Sequence, residues 1–337
     1  MSLQEHQAKY VIALDVGGTT LKAALTGPDN EPFFRARRDT ATGGPEAVVA
    51  GILDFVAELV AEGRARRGGP PAGVGLAVPG VVDEPAGLAS YSANLGWRDL
   101  PLARLVSERI AAERPVAQRA GAAPERADPV PVALGHDVRT GGLAEGRLGA
   151  GAGVGRFFFV ALGTGIAGAI GVGDRMEPGA HGGAGEIGHV IVRPGGARCG
   201  CGQYGCLETV ASASAVGRAW AEASGAAGAS AADAAEAVRA GDARANGVWR
   251  EAVDALADGL LVVVNLLDPE VLIVGGGLAE AGETLLDPLR SSLAAKATFQ
   301  RLPAVVHAAL GESAGCLGAG LLAWDRSQLP HIPEVSP

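Results

Sequence analysis

The stretch Gly188-His-Val-Ile-Val-Arg-Pro-Gly-Gly-Ala-Arg-Cys-Gly-Cys-Gly-Gln-Tyr-Gly-Cys-Leu-Glu208 places one histidine and three cysteines within eighteen positions. Three soft thiolates and one imidazole are a complete tetrahedral ligand set for Zn²⁺, and the intervening glycines let the backbone turn tightly enough to direct them toward one point. The four candidate ligands are His189, Cys199, Cys201 and Cys206. Because they would fill every coordination position, loop 189–206 is predicted to hold a structural zinc ion rather than a catalytic one.

Two other interpretations of the cysteines fit their spacing less well. Cys199 and Cys201 are too close in sequence for an unstrained disulfide, and nothing else in the chain indicates an oxidising compartment. Catalytic thiol chemistry needs one activated cysteine, not three crowded around a histidine. The fourth cysteine, Cys316, lies among small and apolar residues and is predicted to be a core residue rather than a ligand.

Composition narrows the class of protein and its partners. The chain has 337 residues, of which 48% are hydrophobic and 19% are charged, enough for two domains with a sizeable core. A formal net charge of −9 disfavours nucleic acid or an anionic membrane as the main partner. No signal peptide is recognisable before Tyr10, and the longest apolar run, 259–267, is too short to span a bilayer. We therefore expect a cytoplasmic protein.

Apolar runs typical of buried strands alternate with segments of helical periodicity, which predicts an α/β fold with parallel or mixed sheets. The predicted strands are Tyr10–Asp15, Leu21–Leu25, Gly73–Gly80, Val130–Leu134, Phe157–Leu162, Ile166–Ile170 and Pro269–Val274. The predicted helices cover 45–62, 101–114, 139–147, 242–268 and 314–324, with a further helix after Gly275–Leu278. Residues 121–131 are predicted to form a surface loop, and residues 221–235 to form helix pieces joined by a short loop. The pattern strand, glycine-threonine turn, strand occurs twice, which indicates an internal duplication of architecture.

Three glycine-rich turns directly follow predicted strands: Asp15-Val-Gly-Gly-Thr19, Leu162-Gly-Thr-Gly165 and Val274-Gly-Gly-Gly277. One such turn alone is better explained as a hairpin connection. Three of them, two containing threonine and one preceded by aspartate, favour nucleotide binding, because glycine lets backbone N–H groups approach phosphates closely.

Four side chains near these turns carry specific expectations. The hydroxyls of Thr19 and Thr164 would donate to phosphate oxygens, and Asp15 would hold the hydrated Mg²⁺ that bridges the β- and γ-phosphates. Lys22 would add positive charge nearby, or it is a solvated residue of the following strand.

Asp137 is the candidate for chemistry on the acceptor. It follows a predicted strand through Gly135 and His136 and precedes a helical segment. A carboxylate at a strand end is well placed to accept a proton from a substrate hydroxyl. The alternative role is an N-cap for the following helix, and the two roles are compatible.

These residues together resemble the ROK family of bacterial sugar kinases, which includes glucokinases, fructokinases and N-acetylhexosamine kinases. The resemblance runs from Asp15–Thr19 to Gly311–Gly315, and its most specific part is Gly185-Glu-Ile-Gly-His189 with Cys199–Glu208. It implies an actin/hexokinase-like (ribonuclease H-like) two-domain fold, with ATP and sugar in a cleft between the lobes. The expected small lobe comprises residues 1–134 and 314–337, and the expected large lobe comprises residues 135–313.

The resemblance also implies roles for single residues. Asp137 would be the general base toward a sugar hydroxyl, in most cases the 6-OH, and the zinc ligands would be those named above. The implied sugar-binding residues are Gly80, Asn94, His136, Asp137, Glu186, His189 and Glu208. The nucleotide-binding residues are Asp15, Gly17, Gly18, Thr19, Lys22, Gly163, Thr164, Gly165, Gly275, Gly276 and Gly277. A homodimer or higher homo-oligomer is implied as well.

One position departs from the family pattern: His136 stands where the family has an asparagine whose amide contacts the sugar. Imidazole lacks the paired donor and acceptor of an amide, so glucose is not assumed to be the substrate. Kinases of N-acetylglucosamine, N-acetylmannosamine, fructose or allose are alternatives, as is polyphosphate as the donor. A non-catalytic sugar sensor and a structural zinc scaffold are the alternatives from other classes. Only nine residues precede the first predicted strand, so we expect no DNA-binding helix-turn-helix like that of the family's repressors.

Overall fold

The computed structural model describes residues 9–113 and 129–328. The chain divides into two compact units, the first comprising Met1–Ala144 with Ser313–Pro337 and the second comprising Glu145–Glu312. Most of the predicted loop 121–131 and the end of the predicted helix 101–114 lie outside the described residues.

The described elements alternate as the sequence predicts, and the α/β class is confirmed. The strands are β1 Val11–Val16, β2 Thr20–Thr26, β3 Pro32–Asp39, β4 Gly73–Val78, β5 Val81–Asp83, β6 Leu88–Tyr91, β7 Arg98–Leu100, β8 Val132–His136, β9 Arg156–Leu162, β10 Ile166–Val172, β11 Arg175–Glu177, β12 Val271–Gly275 and β13 Ala304–His307. The helices are α1 Pro45–Arg67, α2 Leu102–Ala112, α3 Asp137–Leu148, α4 Glu208–Ala211, α5 Ala213–Ser224, α6 Ala231–Arg239, α7 Ala243–Leu267, α8 Glu283–Lys296 and α9 Ala314–Gln328. Among the described helices, none combines the length and the apolar character that crossing a membrane requires.

The two units are built on sheets of the same topology. The first sheet has the order β3-β2-β1-β4-β8, and the second has the order β11-β10-β9-β12-β13. In each, an antiparallel three-stranded meander is followed by two strands parallel to its first strand. The predicted internal duplication is thus confirmed at the level of strand order. The small antiparallel sheet β5-β6-β7 lies between β4 and β8 in the chain and has no counterpart in the second unit.

The boundary between the units falls ten residues later than the sequence suggested, after residue 144 rather than 134. Strand β8 pairs with β4 over Val74–Val78, which places the start of α3 in the first unit. From Glu145 to Glu312, the chain packs within the second unit instead of the first. The buried Glu145 carboxylate accepts hydrogen bonds from the amides of Ala309 and Leu310, at 3.1 and 2.8 Å, both in the second unit. Asp137 therefore belongs to the first unit, although the predicted division assigned it to the large lobe.

Edge strand β3 was not predicted, because its sequence Pro-Phe-Phe-Arg-Ala-Arg-Arg-Asp lacks a clear apolar alternation. The guanidinium of Arg67 lies 4.3 Å from the ring centroid of Phe33, and that of Arg66 lies 4.8 Å from that of Phe34. These stacked cations cover aromatic surface while keeping the edge of the sheet charged, which discourages pairing with another chain.

Helix α7 forms the centre of the second core. Its buried residues include Ala252, Leu256, Leu260 and Val264. The Asp242 carboxylate caps it by accepting the amides of Arg244 and Ala245, which leaves fewer unsatisfied donors at the helix start. The segment predicted as helix pieces joined by a loop is confirmed as α5 and α6, the latter opened by a capping box between Ser230 and Asp233.

Helix α9 approaches the first sheet closely because small residues line both surfaces. Ala13, Ala24 and Ala77 of the sheet pack against Ala319 of the helix. At Gly75 of β4 a Cβ atom would overlap the Ala319 carbonyl group, whose carbon lies 2.8 Å from that position. The helix backbone thus rests directly on β4.

Replacing Gly75 with alanine is therefore expected to destabilise the first unit. Overpacking of this kind lowers the free energy of unfolding by about 1–3 kcal/mol. Gly69→Ala is the matched control, because a Cβ at Gly69 meets nothing within 4 Å. Urea unfolding of both variants measures the difference, and equal stability would contradict the close approach of α9.

Candidate functional site

In the first unit, three parallel strands end side by side at one edge of the sheet. Asp15 of β1 is in register with Ala77 of β4, and Ala77 is in register with Gly135 of β8. Asp137 follows two residues after Gly135 as the first residue of α3. The carboxyl ends of parallel strands are the usual location of ligand sites in α/β folds, so both candidate aspartates lie where such a site is expected.

The two aspartates share an environment that favours their neutral forms. Burial raises the pKa of Asp137 to about 6, against the lowering effects of the Val138 amide and the charge of Arg139. Burial also raises the pKa of Asp15 to about 6, with a further contribution from the charge of Asp137. Both groups therefore change charge near neutral pH, where a general base is most effective.

Lys22 faces this pair from the neighbouring strand. It is in antiparallel register with Asp15, and its charge lowers the pKa of that carboxyl. Lys22 is half-buried, so it acts on the electrostatics of Asp15 and is not simply a solvated residue.

The turn between β1 and β2 is held by one hydrogen bond within its own backbone and by one from Thr40. The Gly17 amide donates to the Thr20 carbonyl at 3.0 Å, and the hydroxyl of Thr40 donates to the Gly17 carbonyl at 2.7 Å. Gly18 and Thr19 remain exposed at the tip. The N–H of Gly18 and the hydroxyl of Thr19 are thus presented at the surface of a fixed turn, which suits an anionic ligand.

Gly80 and Asn94 are brought toward the same part of the first unit by the small sheet. Gly80 has φ +103°, and a Cβ there would overlap the backbone of Tyr91 and Ser92, so the position requires glycine. Asn94 is exposed in the turn closed by the hydrogen bond from the Ser92 amide to the Trp97 carbonyl.

His136 is buried, with 9% of its surface exposed, and its Nε2 lies 3.3 Å from Oδ1 of Asp137. Arg139, two residues beyond Asp137, is 4% exposed and binds the carboxylate of Glu84 through Nη2 at 2.8 Å and Nε at 3.1 Å. Sequence reasoning missed Glu84 and Arg139. They lie 55 positions apart, and no local pattern indicates that the small sheet brings them together.

In the second unit, the two remaining glycine turns meet. Gly275 of β12 is in register with Ala161 of β9, so both strands end at the same level. Gly276 has φ +87°, and a Cβ there would lie 2.6 Å from the Leu162 amide nitrogen. The Leu278 amide donates to the Leu162 carbonyl at 3.0 Å, which joins the turn Gly163–Gly165 to the turn that follows β12.

The four predicted metal ligands also converge. Their ligand atoms all lie within 4.8 Å of one another. The distance from Cys199 Sγ to His189 Nδ1 is 3.6 Å, and that from Cys201 Sγ to Cys206 Sγ is 3.7 Å. Two sulfurs bound tetrahedrally to one Zn²⁺ lie about 3.8 Å apart, given a Zn–S distance of roughly 2.3 Å. The cluster fits a zinc ion, and all four cysteines are free thiols, so the disulfide alternative is wrong.

The two ring nitrogens of His189 face different neighbours. Nδ1 faces the thiol cluster, whereas Nε2 lies 3.9 Å from Oε2 of Glu186. One ring can therefore serve a metal on one side and a polar ligand on the other. Glu186 is exposed and stands one residue before the short 3₁₀ turn Ile187–His189.

Glu208 connects the loop 189–206, hereafter the cysteine loop, to the glycine turn after β9. Its Oε2 accepts the Ile166 amide at 2.9 Å, and a Cβ at Gly165 would overlap that same carboxylate. Its Oε1 lies 3.9 Å from Cys199 Sγ. The order of the cysteine loop and the position of the Gly163–Gly165 turn are thus physically linked.

Arg193 fastens the cysteine loop to α7. Its three guanidinium nitrogens bind the carboxylates of Glu251, Asp254 and Asp258 at 2.7–2.9 Å. Hydrogen bonds to Asp258 and Glu251 raise the pKa of Arg193. The sequence shows acidic residues at positions 251, 254 and 258, which recur at helical spacing. It does not show that Arg193 is their basic partner.

The geometry can be compared with known proteins. The sequence model of the ROK family matches residues 11–326. The glucokinase of Halalkalibacterium halodurans is 32% identical over 93% of this chain and 94% of its own length. The kanosamine kinase of Amycolatopsis mediterranei is 30% identical over 93% of this chain and 96% of its own. The crystal structure of the Streptomyces griseus glucokinase with glucose and AMPPNP is 30% identical, with a TM-score of 0.76 over 94% of this chain and 99% of that one.

These matches extend over nearly the whole described chain. The expected actin/hexokinase-like fold is confirmed. The protein belongs to the ROK family.

Proposed function

We propose that the protein transfers the γ-phosphoryl group of ATP to the 6-hydroxyl of a hexose or hexosamine, with Asp137 as the general base. The observation that carries this proposal is a carboxylate at the end of β8 whose pKa is raised to about 6 beside a second, similarly perturbed aspartate. That the protein is an ATP-dependent sugar kinase follows from its family and from its kinase relatives. The proposal concerns the identity of the sugar acceptor, the hydroxyl that is phosphorylated and the roles of single residues.

In the proposed reaction, Asp137 accepts the proton of the sugar hydroxyl as its oxygen forms a bond to the γ-phosphorus. The bond between that phosphorus and the bridging β-oxygen breaks, and ADP leaves with the electron pair. Asp137 afterwards releases the proton to solvent. Positioning and electrostatic stabilisation supply most of the acceleration in such a transfer, because the protein forms no covalent intermediate.

The nucleotide phosphates are assigned to backbone N–H groups of the glycine turns, assisted by the hydroxyls of Thr19 and Thr164. Asp15 would hold Mg²⁺, since a single carboxylate with phosphate oxygens and water is the ligand set this ion prefers. The absence of a side chain at Gly315, where a Cβ would lie 2.7 Å from Asp15 Oδ2, keeps that carboxylate accessible. Bound Mg²⁺ would neutralise charge on the phosphates and would also favour ionisation of Asp15.

Sugar hydroxyls are assigned to the backbone at Gly80 and to the side chains of Asn94, Glu186, His189 and Glu208. His189 would use Nε2 for the sugar, since Nδ1 faces the thiols. Zinc would be bound by His189 and the three cysteines and would fix the loop that carries the sugar-binding groups. Its contribution is structural, because the protein supplies all four ligands.

A coupled ADP-release assay across a sugar panel tests the activity directly. The panel comprises glucose, mannose, fructose, allose, N-acetylglucosamine, N-acetylmannosamine and kanosamine, each with MgATP. Polyphosphate is tested separately as the donor by measuring the sugar phosphate formed, because that reaction releases no ADP. Turnover of at least one sugar with MgATP is expected. Sugar binding without ADP release for every sugar would identify a sensor protein instead.

Asp137→Asn removes the base while keeping the shape of the side chain. We expect kcat to fall at least about 100-fold, the range in which general bases contribute, with the sugar dissociation constant little changed. Asp174→Asn is the matched control, because the Asp174 side chain is exposed and is no part of the proposed site. Steady-state kinetics and calorimetric sugar binding provide the measurements, and a wild-type kcat in Asp137→Asn would exclude this residue as the base.

The raised pKa of Asp137 predicts an acid limb in the pH profile. The base is active when ionised, so kcat/KM should fall as pH drops through about 6 and level off above about pH 7. Because Asp15 titrates in the same range, the apparent value belongs to the pair. Measurement between pH 5 and 8 at constant ionic strength tests this, and a profile flat to pH 5 would contradict it.

The glycines of the cysteine loop allow a matched test of zinc binding. Gly205 has φ +77°, and a Cβ there would overlap the Arg193 carbonyl, so Gly205→Ala should distort the loop. Gly200→Ala is the control, since a Cβ at Gly200 meets nothing within 4 Å. We expect about one zinc ion per chain in the control and clearly less in Gly205→Ala, with weaker sugar binding. Elemental analysis after gel filtration decides, and equal zinc contents would refute the assignment.

A further inference from the structure

We propose that His136 is a positioning residue for Asp137: its imidazole holds Oδ1 of the base and leaves Oδ2 to accept the substrate proton. This inference rests on the proposed function of Asp137. It assigns the residue before the base a role in orienting it, whereas the family resemblance implies only contact with the sugar.

The first observation is the contact itself. His136 Nε2 lies 3.3 Å from Asp137 Oδ1, and the same oxygen accepts the Val138 amide at 2.8 Å. Two nitrogen donors on one carboxylate oxygen restrict rotation of the carboxylate about its Cβ–Cγ bond. The other oxygen then points in a defined direction, which is the geometric requirement for proton transfer from a bound hydroxyl.

The second observation concerns the tautomer of the His136 ring. The Arg139 amide is directed at His136 Nδ1, at a distance of 3.4 Å. A nitrogen that accepts an N–H bond carries a lone pair, so the proton of the neutral ring is on Nε2. Nε2–H can therefore donate to the ionised carboxylate of Asp137, and this hydrogen bond favours its ionised form.

The third observation is the support behind the ring. Oε1 of Glu84 accepts Nη2 and Nε of Arg139 at 2.8 and 3.1 Å, and it lies 3.4 Å from the His136 amide nitrogen. One carboxylate from the loop between β5 and β6 thus holds the residues on both sides of Asp137. Arg139 and His136 are 4% and 9% exposed, so this support is shielded from solvent.

Other charged groups also affect the pKa values of Asp137 and its neighbour Asp15. The charge of Arg139 lowers the pKa of Asp137 and so supports its ionised form. The charge of Asp137 raises the pKa of Asp15, and the charge of Lys22 lowers it. Among these groups, His136 is the one whose ring atom is placed to direct a particular oxygen of the base.

Two substitutions of His136 separate positioning from sugar contact. The amide nitrogen of glutamine can occupy the place of Nε2, whereas the shorter asparagine side chain reaches only the place of Nδ1. Loss of a hydrogen bond to a charged group costs about tenfold or more, so H136N should lower kcat by about tenfold and move the acid limb of kcat/KM to higher pH. H136Q should restore most of kcat and the wild-type acid limb. His181→Asn, at an exposed histidine, is the control for the exchange itself.

The measurements are kcat, KM for the sugar and the pH profile of each variant, together with its melting temperature. A wild-type kcat and acid limb in H136N, with only KM or sugar preference changed, would overturn the proposal and assign His136 to sugar contact. An H136Q variant as impaired as H136N would overturn it as well, because the donor at the Nε2 position would then be irrelevant. Failure of the proposed function is distinguishable, since wild-type protein would release no ADP with any sugar of the panel.

Discussion

The alignment of three parallel strand ends in the first unit is the constraint on which the proposed chemistry depends. Register between β1, β4 and β8 brings Asp15 and Gly135 to one level of the sheet, and Asp137 follows as the chain enters α3. Partial burial at this edge raises the pKa of both aspartates to about 6. A shift of one residue in the register of β8 would turn Asp137 to the opposite face and leave the unit without its proposed base.

The second unit depends on a different kind of constraint. Its cysteine loop has little regular structure, and isolated bridges such as Ile191 with Cys206 are its main backbone pairing. Order comes from the converging ligand set, from the ion pairs of Arg193 with α7, and from the bond between Glu208 and the Ile166 amide. The last of these couples the loop to a glycine turn assigned to phosphate. Metal binding, sugar binding and nucleotide binding in this unit would therefore share one set of contacts.

Much of the fold could be predicted from local patterns. The buried strands β1, β9 and β12 are short apolar runs, and α7 carries a clear apolar face, so their existence and type were predicted correctly. Strand β3 and the small sheet β5-β6-β7 were missed. Strand β3 is an edge strand with charged residues, and β5, β6 and β7 have only three or four residues each, so none of them shows the apolar pattern that predicts a strand. The boundary after residue 144 was also missed, because the partners of Glu145 lie some 164 positions away.

The sequence by itself determined the chemistry that the protein can use. Residue types and spacing in 189–206 predict the metal ligands, the glycine turns predict phosphate contacts, and the family pattern predicts Asp137 as the base. These are local signals, since a tight loop or a turn brings near neighbours together whatever the rest of the chain does. Only the tertiary structure decided the pKa and the orientation of the proposed base, Asp137. Burial of Asp137, the effect of its charge on Asp15, and the contacts from Glu84 through Arg139 to His136 involve residues up to 122 positions apart. Their energies depend on distance and burial, and a linear pattern carries neither.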